Sequence, residues 1–443
     1  MLRAVIPLVL VGLITHGSNA GSGDEPHYLA IAHSIAFDFD LDVSNNYGAN
    51  EPLIAGGGLV PENHVRRGVN GTIRPIHDIG LPLLYAPAAR LLVPLVRWAF
   101  ATVPANLLRR AKLTPTVLYR HAISLVMIVL ATALASLLFD GLLEIEADAR
   151  DAFAIALLVI LSPPLLIYSV LFFTELLSAV LCFYAFSRIA LDSRDLRLTT
   201  LESGVGSGAR YWAPVGAATG LLFLVHVRNA GLVVGLTVLA LAKILRMRSY
   251  RDLAGFVLGL GTLLLVRTIV TYFFWGTLVT TPHGSLGAWT GFDAAVREAV
   301  TRTLGLFLDQ EFGLFIYGPI YVLAIAGLFV AERPIARAIV IVAGCYLALI
   351  LFSVTNVHGW TGGWCPAGRF LVPILPLLAI PLYAAMRAFK RGIVMAVVVV
   401  QILIAGYMWQ NPKNLWNDGD GIAAICSRGR FSVCSMLPSF TKR

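Results

Sequence analysis

The sequence predicts an all-α integral membrane protein with many spans, and three observations lead to that fold class. Hydrophobic residues make up 58% of the 443-residue chain and charged residues only 13%, whereas a soluble domain has about 45–50% apolar and about 25% charged residues. Long apolar runs recur along the whole chain, and about 20 apolar residues suffice for a helix to cross a bilayer. A chain this apolar is neither disordered nor a small disulfide-stapled domain.

The N-terminal apolar run, residues 4–15, has two interpretations. It is a retained first transmembrane helix, or it is a cleaved signal peptide, because the small residues 18–20 suit a signal peptidase. The retained helix is favoured by the motif that follows it. Both interpretations place residues from about 20 onward outside the cytoplasm.

The net charge of +9 indicates how the chain is oriented in the membrane and not that it binds nucleic acid, because basic residues of multi-pass proteins collect in cytoplasmic loops. The basic loops contain Arg109, Arg110 and Lys112, then Lys243 to Arg251, then Arg333 and Arg337, then Arg387 to Arg391. Residues 17–78, 276–312, 355–368 and the tail 410–443 are then extracytoplasmic. We expect a multi-pass protein of the plasma (inner) membrane that binds no nucleic acid.

Eleven apolar segments follow the first long outside loop. Their limits are 79–101, 118–139, 152–163, 165–190, 211–226, 229–245, 252–275, 313–331, 335–354, 369–388 and 391–409. Seven of them lie between two outside loops, where the number of crossings must be even. Segment 152–163, which ends at Pro163-Pro164, is predicted not to cross, and the break at 226–229 is the alternative. The expected membrane domain covers residues 1–409.

Two outside segments are predicted to be helices on the membrane surface. Segment 292–308 has apolar residues at i, i+3, i+4 and i+7 spacing. Segment 25–37 shows the pattern more weakly, with Asp24 at the N-cap position and Pro26 in the first turn. Between them, Asn70-Gly71 predicts a β-hairpin turn.

Titratable residues gather in residues 17–78, which hold eight acidic side chains and four of the nine histidines. Asp24 and Glu25 directly follow the first helix, and paired carboxylates there can act as a general base or hold a cation. The alternative is that Asp24 caps a helix and Glu25 complements its dipole. Arg74 and His77, at the mouth of the bundle, can meet a phosphate or simply anchor the interface.

Three charged residues within or beside apolar runs are further candidates. Glu175 lies inside such a run, where a carboxylate costs about 2.5–3.5 kcal/mol on insertion scales, so it is a functional candidate by default. Arg228 belongs to the same class. Arg369 follows the glycine-rich stretch 362–368 at an outer helix end, where a guanidinium suits a phosphate. The five cysteines form no metal motif, and Cys426 with Cys434 is a candidate disulfide in the tail.

A family likeness rests on these residues. Gly23-Asp24-Glu25-Pro26-His27-Tyr28-Leu29, between a short first helix and a long outside loop, resembles the polytopic GT-C glycosyltransferases. These include protein O-mannosyltransferases, aminoarabinose transferases of lipid A and the RgtA/B/C/D-like family. Segments 77–84, 163–175 and 368–376 look like later parts of the same pattern. The chain departs from it in lacking a lysine near the second helix and a large domain after the last span.

The resemblance implies a GT-C-like bundle of about 11–12 transmembrane helices with juxtamembrane helices. It also implies transfer, with inversion, of a hexose or pentose from a polyprenyl-phosphate donor to a lipid, glycan or protein hydroxyl on the extracytoplasmic face. Asp24 would be the general base, and Glu25 would orient the acceptor or a cation. The phosphate-binding candidates are Arg369, Arg228, His77 and Arg74, and Glu175 is a second acidic candidate.

No cofactor is assigned by the resemblance, and a divalent cation, Mg or Mn, at Asp24 and Glu25 stays open. The alternative function is a polytopic transporter or lipid flippase. Transporters place polar groups near the bilayer midplane and show repeat symmetry. Here the acids and histidines collect outside the membrane and no inverted repeat is visible, so the transferase is the favoured prediction.

Overall fold

The computed structural model describes residues 23–47, 64–191, 208–278, 292–352, 359–363, 365–410 and 437–440. The predictions on the first helix, on part of loop 276–312 and on the Cys426–Cys434 disulfide lie outside these residues.

The described chain is helical almost throughout, and its one small sheet pairs two short strands. In chain order the helices are α1 (Glu25–His33), α2 (Gly80–Thr102), α3 (Ala105–Arg110), α4 (Pro115–Glu144), α5 (Ala149–Ile160), α6 (Leu165–Tyr168), α7 (Thr174–Phe186), α8 (Ala209–Val225), α9 (Ala230–Met247), α10 (Tyr250–Trp275), α11 (Phe292–Leu308), α12 (Leu314–Tyr317), α13 (Ile320–Gly327), α14 (Arg333–Phe352), α15 (Ala379–Ala388) and α16 (Arg391–Gln410). The strands are β1 (Val65–Arg67) and β2 (Ile73–Pro75). Tighter 3₁₀ turns cover Val69–Gly71, Val227–Asn229, Gly359–Thr361 and Arg369–Leu378, and wider turns at Ser34–Asp38 and Ser187–Leu191 extend α1 and α7.

Eight helical stretches among the described residues are long and apolar enough to cross a membrane. They are Gly80–Thr102, Pro115–Glu144, Thr174–Leu191, Val227–Met247, Tyr250–Trp275, Arg333–Phe352, Arg369–Ala388 and Arg391–Met408. The predicted all-α membrane fold is therefore confirmed. Helices α5, α8 and α13 are apolar but shorter than these.

Helix α4 shows which end of the bundle each loop occupies. Near its start, the Ser124 hydroxyl donates to the Val170 carbonyl at 2.8 Å, just before α7 begins. Near its end, a Cβ on Gly141 would lie 3.0 Å from the Phe183 ring at the far end of α7. Helices α4 and α7 are therefore parallel. We call the end where both begin the upper end and the opposite one the lower end, and residues 103–114 lie at the upper end.

Helix α2 begins and ends at the upper end. The Tyr85 hydroxyl donates to the Tyr119 hydroxyl at 3.3 Å, in the first turns of α2 and α4. Residues 103–114, which include the six-residue α3, reach about 29 Å even with their other residues extended. Helix α2 has 23 residues and is about 34 Å long, so a connection of this reach cannot return the chain from the far end of a crossing α2 to the start of α4. The prediction that segment 79–101 crosses, and that its basic loop lies opposite the outside loops, is therefore wrong, because length and hydropathy do not fix a helix's direction.

Residues 149–173 cross the bundle instead. Helix α5 follows the lower end of α4 after four residues, and Val170 lies at the upper end. The break at Pro163-Pro164 separates α5 from α6 within this path. The prediction that segment 152–163 stops short is thus wrong. Helices α4 to α10 now give an even number of crossings between the two outside loops.

The hairpin is confirmed, with Val65 opposite Pro75 and Arg67 opposite Ile73. Its loop is longer than a two-residue turn, and Asn70 has a φ of 62°. Helix α11 also has the predicted bounds. Helix α1 forms as predicted, but it is buried along its whole length, so the exposed polar face expected of a surface helix is covered by protein.

Helices α8 and α10 pack closely through two pairs of glycines at four-residue spacing, Gly216 with Gly220 on α8 and Gly255 with Gly259 on α10. A Cβ on Gly216 would overlap the Phe256 carbonyl oxygen, and a Cβ on Gly259 would overlap the Ala213 carbonyl oxygen. Small residues at such spacing let helix backbones approach in a membrane, where close packing rather than water drives helix association.

Replacing Gly259 by leucine is expected to lower the stability of the folded protein, because the new side chain must push α8 away. Overpacking costs about 1–3 kcal/mol. Gly261→Leu is the matched control, because no atom lies within 4 Å of a Cβ there. Thermal unfolding in detergent should show a lower midpoint for Gly259→Leu alone, and equal midpoints for the two variants would contradict this packing.

Candidate active site

The Arg369 guanidinium joins two carboxylates at the upper end. Its Nη2 lies 2.5 Å from Asp24 Oδ2 and its Nε lies 2.6 Å from Glu175 Oε1. Its Nη1 donates to the Gly362 carbonyl at 3.0 Å, and the ring of Phe173 lies 4.8 Å from its Cζ. Three segments far apart in sequence thus meet at one planar cation, whose fork of donors matches carboxylate geometry.

Local backbone geometry positions Arg369 for these contacts. Gly368, the residue before it, has a φ of 70°, a left-handed conformation that favours glycine. The Gly368 amide donates to the Phe312 carbonyl at 3.1 Å, and a Cβ on Gly368 would lie 3.0 Å from Pro164. The turn at Gly368 therefore places Arg369 at the first position of the helical stretch that follows.

Asp24 occupies the position before α1, but its side chain makes no capping hydrogen bond. The predicted alternative, that Asp24 merely caps a helix, is therefore wrong, because the carboxylate turns to Arg369. Burial alone would raise the pKa of Asp24, but Arg369 and His77 together outweigh burial and hold that pKa well below its usual range. Asp24 is thus an ionised carboxylate and a weak base while Arg369 is in contact.

Arg228 lies on the more open side of Glu175. Its Nη1 is 3.7 Å from Glu175 Oε1, and its side chain is 23% exposed against 2% for Glu175. The Phe370 ring lies 3.6 Å from its Cζ. The 3₁₀ turn between α8 and α9 places it, with Asn229 donating to Ser178 Oγ of α7 at 2.8 Å.

A group of histidines lies on the other side of Asp24. Ligand atoms of Asp24, His64 and His77 all lie within 4.8 Å of one another. His64 Nδ1 is 2.9 Å from His77 Nε2, and the His27 ring stacks on His64 with centroids 3.5 Å apart. Burial lowers the pKa of His27 to about 3 and also lowers the pKa of His64. Neutral imidazoles are the form that binds metals.

The donor set decides which cation would fit here. One carboxylate and two imidazoles suit zinc or another transition ion, whereas magnesium prefers oxygen ligands. Asp24, His64 and His77 could hold such an ion, while Arg369 contacts Asp24 through one oxygen only. The sequence pointed to His64 only through the number of histidines in residues 17–78. The contact of His64 with His77 depends on the hairpin that separates them in the chain.

Glu25 is not part of this group. Its carboxylate is buried, its Oε1 accepts from the Phe172 amide at 2.7 Å, and its Oε2 is 3.9 Å from Arg120 Nη1. Asp24 and Glu25 therefore do not form the carboxylate pair that the sequence predicted. Glu25 ties α1 to α4 and to the start of α7 instead.

Arg74 and Asp78 lie at the edge of the site. The Arg74 guanidinium lies over the Phe274 ring, with its Cζ 5.1 Å from the ring centroid. Asp78, which the sequence did not single out, accepts from the Val227 amide and from Arg267 Nη1, each at 2.7 Å. The Asp78 carboxylate thus connects the segment that contains His77 to the turn that contains Arg228.

Comparisons with known proteins give one structural likeness. No protein-family model matches the chain, and no curated protein matches it. The chain is similar to the apo crystal structure of the Archaeoglobus fulgidus oligosaccharyltransferase, with 12% identity and a TM-score of 0.39. The similarity covers 93% of this chain and 55% of that one, so the chain spans about half of its length. A likeness of this degree assigns neither family nor activity.

Proposed function

We propose that the protein is a membrane glycosyltransferase that moves a sugar from a polyprenyl-phosphate donor to an acceptor hydroxyl. The upper end would face the outside of the plasma membrane. The observation that carries the proposal is the contact of Asp24 with Arg369 beside a second guanidinium, Arg228. This arrangement places a potential base next to cations that can receive a phosphate.

The cations suit a departing phosphate. Arg369 is nearly buried and Arg228 is partly exposed, so a phosphate entering from the open side would meet Arg228 first. Fixed positive charges in a water-poor cleft stabilise the charge that develops on a leaving group. Glu175 would keep both guanidiniums aligned from the buried side.

Donor binding would also activate Asp24. The donor phosphate competes with Asp24 for Arg369, so its arrival frees the carboxylate that Arg369 otherwise neutralises. Asp24 then accepts the proton of the acceptor hydroxyl as that oxygen bonds to the anomeric carbon. The bond from this carbon to the phosphate oxygen breaks on the opposite face, and polyprenyl phosphate leaves with the electron pair. The product is the inverted glycoside.

A divalent cation at Asp24, His64 and His77 would add positive charge beside the donor phosphate. Residues of this chain would position the cation site and the guanidiniums. The hairpin holds His64 near His77, and Phe173 and Phe370 cover the guanidiniums of Arg369 and Arg228. A transporter or flippase is less well supported, because these polar groups meet at one end of the bundle rather than midway.

The test is turnover of a panel of radiolabelled polyprenyl-phosphate sugars by purified protein, with and without chelator and added zinc, manganese or magnesium. Wild type should transfer or hydrolyse one donor, and Asp24→Asn should reduce turnover about 10²–10⁴-fold, the contribution of a positioned base. Asp293→Asn, an exposed acid on α11, is the control. No turnover of any donor, or full activity in Asp24→Asn, would overturn the proposal, and liposome flux would then test transport.

A further inference from the structure

Helix α2 has two apolar faces, and one of them points outward. Its inner face, with Tyr85, packs on α1 and α4. On the outer face Leu84, Leu91, Leu95 and Trp98 are 53–74% exposed among the described residues. Their spacing follows the helix repeat, so they form a continuous apolar ridge about 20 Å long.

Basic residues alone accompany this ridge. No acidic residue occurs between Asp78 and Asp140. Two of the arginines in that interval already bind other parts of the protein: Arg90, although exposed, donates to the Ala36 carbonyl at 2.7 Å, and the buried Arg120 lies by Glu25. The other basic residues are exposed and make no ion pair with any described residue; they are Arg97, Arg109, Arg110 and Lys112.

The ridge and the basic residues lie together at the upper end. Helix α2 does not cross the bundle, as the reach of residues 103–114 shows, and α3 carries Arg109 and Arg110 beside the start of α4. A helix that lies across one end of a membrane bundle, apolar on its outer face and flanked by basic residues, has the composition of an interfacial helix. Such residues are attracted to anionic headgroups.

We propose that α2 and α3 form a docking surface for anionic membrane lipids. The ridge of Leu84, Leu91, Leu95 and Trp98 enters the acyl region, and the exposed basic residues bind lipid phosphates. The one-signed charge of the interval selects anionic over zwitterionic headgroups. This surface would hold α1, and with it Asp24, at a fixed depth relative to the headgroups, whatever reaction the site performs.

The first test compares two variants that each lose two adjacent arginines. Arg109→Gln/Arg110→Gln changes the proposed surface, and Arg66→Gln/Arg67→Gln changes exposed arginines of the hairpin at the same end. Native mass spectrometry counts phosphatidylglycerol and phosphatidylcholine retained by purified protein. We expect the first variant to bind phosphatidylglycerol at least threefold more weakly than wild type, and the second to match wild type. Thermal unfolding would verify that both variants fold.

Three outcomes would overturn the proposal. Equal retention of phosphatidylglycerol by the two variants would show that no particular arginine pair binds the lipid. Displacement of the lipid by millimolar inorganic phosphate would show a site for free phosphate. Selective retention of a polyprenyl phosphate would assign these basic residues to donor binding. Fluorophore-labelled Leu91→Cys in vesicles gives an independent readout, with the labelled parent as blank. Brominated lipids should quench this label and not one at Asn70→Cys on the hairpin. Equal quenching at both positions would contradict the placement of the ridge.

Discussion

Arg369→Ala is expected to abolish turnover and to destabilise the folded protein. The substitution leaves the carboxylates of Asp24 and Glu175 without the cation that lies within 2.6 Å of both. Removing one partner of a buried ion pair costs about 3–5 kcal/mol, because the remaining charge stays buried and unpaired. Loss of a charge-stabilising donor lowers catalysis by about 10²–10³-fold, and misplacement of Asp24 would add to that loss.

Two further variants separate charge from stability. Arg369→Lys keeps a cation but lacks the planar fork, so it should contact only one carboxylate and show intermediate stability and activity. The double variant Asp24→Asn/Arg369→Ala removes the carboxylate that has lost its cation, so its thermal midpoint should lie above that of Arg369→Ala alone. Arg337→Ala, on an exposed position of α14, is the control. A stable and active Arg369→Ala would refute the proposed role.

The sequence identified most members of this site one at a time. Glu175, Arg228 and Arg369 are charged side chains in or beside apolar runs, where insertion is costly and a compensating contact is needed. Their mutual contacts require the fold, because up to 194 residues separate them. Asp24 was recognised from its place after the first apolar run.

The prediction for Glu25 differs from the structure for a geometric reason. Successive residues of a helix point about 100° apart, so Asp24 and Glu25, at the start of α1, face different neighbours. His64 lies in a polar loop with no periodicity, so nothing in the sequence placed it against His77. Helix α2 shows the same limit: its composition suits a span, and only its contact with Tyr119, together with the short connection 103–114, reveals that it does not cross.

Arg267→Gln is expected to weaken donor binding from a distance. Arg267, on α10, donates to Asp78 Oδ1, and the other oxygen of Asp78 accepts from the Val227 amide. His77 precedes Asp78 and Arg228 follows Val227, so this one carboxylate fixes two phosphate-binding candidates relative to each other. The variant leaves the buried Asp78 without its cation, and its unfolding midpoint should fall as for a broken buried pair, about 3–5 kcal/mol.

Positioning and stability can be distinguished by measuring donor affinity in the folded protein. If Asp78 aligns His77 and Arg228, Arg267→Gln should raise the KM for the donor about tenfold while kcat changes less, since Asp24 and Arg369 are untouched. Arg267→Lys should restore part of this affinity. The control is Thr268→Ala, at the adjacent residue, whose hydroxyl donates to the Leu264 carbonyl of its own helix; it should change neither property. A misaligned site cannot bind the donor as tightly as an aligned one. If Arg267→Gln is destabilised but its KM is unchanged, the ion pair of Arg267 with Asp78 therefore stabilises the fold and does not align the site.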